Sequence, residues 1–221
     1  DAKKLLAEQL QSLKTPYHGI LVDEQTDLEA LPRAFPWLLQ EKLIVKPDML
    51  FGKRKKLNLV RLDMDFAGVK AFIAEHRSKE ITIGKATGII THFLIEPFIP
   101  HTTEYYLAIL AEREQDVILF SGQGGIAIEE NWETLTKIEV PLETSQEPFS
   151  FLQKLPPLPE NISMFIKEIY AAFKKCHFCY LECNPFTVDH AGNICLLDTV
   201  AQVDSCGISL PFPPAFGRKS Y

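Results

Sequence analysis

The stretch Cys179–Asp198, CYLECNPFTVDHAGNICLLD, decides how this chain is read. Phe178–Glu182 has the composition of a strand, which the Asn184–Pro185 pair is expected to break. Phe186–Asp189 and Ile194–Leu197 are short apolar runs separated by His190-Ala191-Gly192-Asn193, a hairpin loop. Pairing Asp189 with Ile194 sets Val188 opposite Cys195, Phe186 opposite Leu197 and Pro185 opposite Asp198. Asn184 is then diagonal to Asp198, about 7–8 Å away. Two such oxygen donors suit a hard cation, because Mg²⁺ typically takes only about one or two protein oxygens beside phosphate oxygens. The alternative is that Asn184 opens a turn and Asp198 is a solvated strand end. Spacing alone favours that alternative, since turn residues are common at such sites.

With 221 residues the chain can bury a full core, as one large domain or two small lobes. A net charge of −6 argues against general nucleic-acid binding, which needs a basic footprint. No apolar run is long enough to span a bilayer, and DAKKLLAEQL lacks the apolar core of a leader peptide. A cytoplasmic protein with five reduced cysteines is expected, with no membrane partner. Cys176, Cys179 and Cys183 cluster around His177, but no second Cys pair follows to complete a zinc site. Buried small side chains are expected there instead.

Working outward, Leu6, Leu10 and Leu13 give a first helix an apolar stripe, with Asp1 able to cap it. Gly19–Val22 reads as a strand, and Thr26-Asp27-Leu28-Glu29 has capping-box spacing for a short helix ending before Pro32. Leu43-Ile44-Val45 runs into Lys46, a strand-end cation, and Gly52–Lys56 is the most basic run. That run is either a solvated tip before a strand at Leu57–Leu62 or a polyphosphate contact. A nucleic-acid patch ranks last because no aromatic residues interleave the charges. Asp65 caps a helix reaching about Lys79, and the runs Ile81–Ile83, Ile89–Ile95, Tyr105–Ala111, Val117–Phe120 and Ile126–Ile128 suggest an antiparallel sheet.

In FLIEPFIP, Pro97 and Pro100 are expected to interrupt sheet pairing. Backbone groups left free there suit an adenine edge, with an inter-lobe crossover as the plainer alternative. Glu104 can accept ribose hydroxyls or be an exposed strand end. The glycines of Gly122–Gly125 allow a tight turn or a lid. Pro141–Pro159 is a proline-rich connection, and Glu160–Lys175 reads as a helix burying Ile162, Phe165, Ile166, Ile169 and Phe173.

Together LIVKPDMLFGKR (43–54), FLIEPFIPH (93–101), Glu104-Tyr105-Tyr106, EENW (129–132), LECNPF with its distal LLD, and FPPAFGR resemble the ATP-grasp portion of ATP-citrate lyase and citryl-CoA synthetase. The match runs in order along almost the whole chain. The wider relatives are the β subunits of succinyl-CoA synthetase. The resemblance implies an α+β ATP-grasp fold whose two lobes, one mixed and one an antiparallel sheet, enclose a nucleotide. All of 1–221 would be this domain, with one lobe at about 1–95 plus a part from the C-terminal region. The other would be at about 96–205, and an extended tail at 206–221 would lead to a CoA-ligase-like domain. The resemblance further implies that Lys46 and Arg54 contact ATP phosphates as the catalytic cations. Glu96, Pro97 and Ile99 would form the adenine hinge, Glu104 would bind ribose, and Asn184 and Asp198 would hold Mg²⁺. Lys55 departs from the family's glycine and adds a candidate phosphate contact. The implied reaction phosphorylates a histidine of a partner subunit or domain on the way to citryl phosphate and citryl-CoA. Citrate and coenzyme A would belong to the full hetero-oligomer, and this chain would not be active alone. Another acid–CoA ligase, such as succinyl-CoA synthetase, and a nucleotide-binding module without turnover are the alternatives.

Overall fold

The computed structural model describes residues 2–13, 17–48, 57–83, 86–125, 128, 133, 135–142 and 149–204. The chain packs as two units, His18–Ile99 and a unit joining Asp1–Tyr17 to Pro100–Tyr221. This division differs from the expected one at the N-terminus, and the cause is packing. Helix α1 (Ala2–Gln9) buries Leu5 and Leu6, and Leu10 just beyond it, against helix α4 (Glu160–Lys175) and its sheet.

In the His18–Ile99 unit, strands β1 (Ile20–Val22), β2 (Leu43–Pro47), β3 (Arg61–Met64) and β6 (Phe93–Pro97) form one sheet in the order β1-β6-β2-β3. Helix α3 (Phe66–His76) covers this core with Phe66, Val69, Phe72 and Ile73. Its N-cap is Asp65, whose carboxylate accepts the Gly68 N–H at 2.7 Å. Strands β4 (Glu80–Ile83) and β5 (Ala86–Ile89) form a separate two-stranded sheet, so the run expected at Ile89–Ile95 is divided between two sheets. The capping-box helix also starts later than expected. Thr26 bonds back to Asp23, Asp27 accepts the Glu29 N–H, and α2 (Leu31–Ala34) takes Pro32 into its first turn. Proline is tolerated there because that N–H has no helical acceptor. The run expected as a strand at Leu57–Leu62 folds instead as a turn at Leu57–Asn58, and β3 begins at Arg61.

In the other unit, β7 (Tyr105–Ala111), β8 (Gln115–Ser121), β9 (Thr136–Pro141), β10 (Phe178–Val188), β11 (Ile194–Leu196) and β12 (Thr199–Val203) build a sheet in the order β11-β10-β7-β8-β9, with β12 also on β10. Helix α4 buries all five residues of its expected stripe. Each such side chain contributes about 1.5–3 kcal/mol. Phe186 joins helix to sheet, its ring 4.8 Å from Phe165 and 5.2 Å from Tyr105.

Strand β10 is central and corrects two expectations. It continues through Asn184–Pro185, whose peptide is cis, although pairing with β7 is interrupted between Cys183 and Phe186 and the other edge passes there from β12 to β11. The hairpin register is Phe186↔Leu196, Thr187↔Cys195 and Val188↔Ile194, one residue from the expected one. Asp189 bonds across the hairpin to Asn193 rather than to Ile194, its N–H donating to Asn193 O at 2.9 Å. Its carboxylate accepts the Ala191 and Asn193 N–H groups, both at 2.8 Å, and Gly192 closes the loop at φ +83°. Among the described residues no helix is long and apolar enough to cross a membrane.

Candidate functional site

Lys46 and Glu96 come from the neighbouring strands β2 and β6, whose register pairs Ile44 with Glu96 and Lys46 with Leu94. The two side chains are therefore diagonal neighbours on one face. The Lys46 ammonium lies 3.4 Å from Glu96 Oε2, with side-chain exposures of 7% and 9%. At that burial the attraction is weakly screened, and removing either partner strands a desolvated charge. Glu96 thus makes a buried side-chain contact with Lys46 that the sequence did not reveal. Pro97 does not interrupt the sheet as expected. It pairs with Leu43, and the Phe98 N–H donates to Lys42 O at 2.7 Å. Only the β1 side of the strand ends early, since β1 pairs with Phe93–Ile95. Ile99 follows at the end of this unit, half-buried. Arg54 and Lys55 lie outside the described residues.

Glu104, Asn184 and Asp198 belong to the second unit, where the turn before Ile128 joins the first two. Glu104 O accepts the Gly124 N–H at 2.7 Å, and Asn184 Oδ1 accepts the Gly125 N–H at 2.8 Å. Gly125 has φ +66°, and a Cβ there would collide with Glu104 Oε2. Glycine at this turn therefore lets a carboxylate and a carboxamide approach the same backbone. His101 Nε2 lies 3.2 Å from Glu104 Oε1.

Asn184 and Asp198 are closer than the diagonal relation expected. The Asn184 N–H donates to Asp198 O at 3.0 Å, and the Asp198 N–H donates to Pro185 O at 3.1 Å. The Lys3 ammonium reaches the same segment, donating to Leu197 O at 2.9 Å with Leu196 O at 3.4 Å. Glu182 joins the group as well. It accepts the Tyr180 hydroxyl at 2.8 Å, and Asn184 Nδ2 lies 3.4 Å from its other oxygen. Burial and the Glu182 charge push the Tyr106 hydroxyl pKa well above its ordinary value. Cys183, buried between these groups, has its thiol pushed up to about 12, first by burial. The sequence alone does not single out Glu182. Its parity with Asn184 on β10 was the available signal.

Among the described residues no three His, Cys, Asp or Glu side chains converge as metal ligands. The Asn184–Asp198 pair offers one neutral and one anionic oxygen donor. An amide oxygen accepts twice, so Asn184 Oδ1 keeps a lone pair beyond its bond to Gly125. This donor set suits Mg²⁺ completed by phosphate oxygens, and it is too small and too hard to suit zinc.

The sequence matches the family described as "ATP-citrate synthase ATP-grasp domain" over residues 1–210. The chain belongs to this family. Among relatives of the ATP-grasp domain, ATP-citrate synthase alpha chain protein 1 of Arabidopsis thaliana is 40% identical over 99% of this chain and 55% of its own length. Human ATP-citrate synthase is 36% identical over 90% of this chain and 19% of its own length. The structure of ATP citrate lyase from Methanothrix soehngenii, in complex with citrate and coenzyme A, aligns with TM-score 0.79 and 37% identity. It covers 100% of this chain and 55% of that one. The chain therefore spans about half the length of the plant relative and of that structure.

Proposed function

We propose that this chain is the Mg-ATP-binding part of an ATP-citrate lyase or citryl-CoA synthetase. Lys46 would hold nucleotide phosphates, with Glu96 as its resident counter-charge, and Arg54 and Lys55 would add phosphate contacts. Backbone of Glu96, Pro97 and Ile99 would receive the adenine, and Glu104, oriented by His101, the ribose hydroxyls. The expected enclosure of the nucleotide by two lobes belongs to the same reading. Asn184 and Asp198 would hold Mg²⁺, which when bound neutralises charge on the phosphates. The reaction moves the γ-phosphoryl group from ATP to a histidine nitrogen of a partner subunit or domain, and ADP leaves. Such transfer is mainly positioning and charge stabilisation, which this residue set can supply. The partner region, CoA-ligase-like, would bring coenzyme A and citrate in a hetero-oligomer, and we assign the assembly to the cytoplasm.

The observation that supports this reading is the backbone bond from Asn184 to Asp198, which makes the two donor-bearing residues direct neighbours. Calorimetry with ADP tests it. Asp198→Ala should weaken ADP binding in Mg²⁺ about tenfold or more and leave binding in EDTA unchanged. Equal affinity in Mg²⁺ for wild type and Asp198→Ala removes Asp198 from the site.

A further inference from the structure

We propose that Lys3 is a positioning residue for the Asn184–Asp198 metal site, making helix α1 part of that site's framework. This inference rests on the metal assignment proposed above. A lysine near the start of an amphipathic helix normally keeps its ammonium in water. Lys3 is only 6% exposed, and its amine is turned inward onto the Leu196 and Leu197 carbonyls. Desolvating an ammonium costs several kcal/mol, so this position needs compensation. Two carbonyl dipoles supply part of it.

The backbone around Asp198 explains what Lys3 adds. The Leu197 and Asp198 N–H groups both donate to Pro185 O, and Asp198 O accepts from Asn184 N–H. These ties all come from β10. Lys3 grips the remaining carbonyl of the segment, Leu197 O, from a different element. Leu5 and Leu6, 1% and 0% exposed, anchor α1 in the core and fix where that grip is applied. The link between β11 and β12 is thus held from both sides, which limits how far the Asp198 carboxylate can swing from Asn184. Neighbours of this kind tune metal affinity without touching the metal.

The test is calorimetry on the full chain, with ADP as probe in Mg²⁺ and in EDTA, for wild type, Lys3→Met, Lys3→Arg and Asp198→Ala. Lys3→Met should weaken binding in Mg²⁺ by about ten- to a hundredfold, leave binding in EDTA unchanged, and be largely rescued by Lys3→Arg. Wild-type affinity for Lys3→Met, alongside a loss for Asp198→Ala, overturns the Lys3 role alone. Equal weakening in Mg²⁺ and EDTA also overturns it, because Lys3 would then serve packing only. An unaffected Asp198→Ala overturns the metal assignment and this inference with it. If Lys3→Met does not unfold cooperatively, wild-type amide exchange decides. Mg-ADP, relative to ADP alone, should slow exchange at Leu6–Gln9, and no slowing overturns the proposal.

Discussion

At the scale of single residues, Gly125 is where the polar group of the second unit is most sensitive. Its φ of +66° is left-handed, and a Cβ would meet the Glu104 carboxylate. Gly125→Ala should therefore cost about 1–2 kcal/mol from the backbone alone, plus displacement of Glu104. Urea unfolding of Gly125→Ala with and without Glu104→Ala separates the two contributions. Coupling of about 0.5 kcal/mol or more is expected, and strict additivity would mean that the collision is relieved elsewhere. Asn184 and Asp198 could be singled out beside the hairpin, but spacing alone favoured a turn there, and only the family resemblance made them candidate metal ligands. Gly125, Glu182 and Lys3 were much less legible. The partners of Gly125 and Lys3 lie far away in the chain, and a lysine on an amphipathic helix reads as solvated until packing turns it inward.

At the scale of elements, the hairpin of β10 and β11 was legible as a hairpin but not in its register. The expectation paired Asp189 with Ile194, whereas Asp189 donates its N–H to Asn193 O and accepts the loop's own N–H groups with its carboxylate. Side-chain capping of this sort competes with a ladder position, and an apolar pattern alone cannot weigh the two. The same strands make a pH-dependent element. Burial raises the Cys183 thiol from 9.0 to about 12 and the Cys195 thiol from 9.0 to about 11. Above about pH 9 the unfolded chain releases these protons before the folded one does. Stability contributed by the neutral thiols is complete below pH 9 and is lost as pH rises towards 11 and 12. Urea unfolding should show a loss on the order of 2 kcal/mol from Cys183 by about pH 10.5, and Cys183→Ala should flatten that slope. An unchanged slope in Cys183→Ala would assign the alkaline loss to other groups.

At the scale of the whole molecule, helix, strand and family were legible in order along the chain, but the assignment of the first residues was not. Residues near the N-terminus pack with α4 and β12, and no local signal announces a partner more than a hundred residues away. Among the described residues the two largest buried clusters share no residue. One is built on α1, α4 and the β7–β10 sheet, the other on α3 with β1, β2 and β6. Cavities act on the core that contains them, so each cluster should open with its own free energy. Phe93, 0% exposed at the centre of the second cluster, tests this. Phe93→Ala should cost about 3–5 kcal/mol in that unit. Native-state amide exchange should then accelerate in β2, β6 and α3, while α4 and β10 keep their wild-type protection. Acceleration by the same factor in α4 would instead mean that the two cores unfold together as one cooperative body.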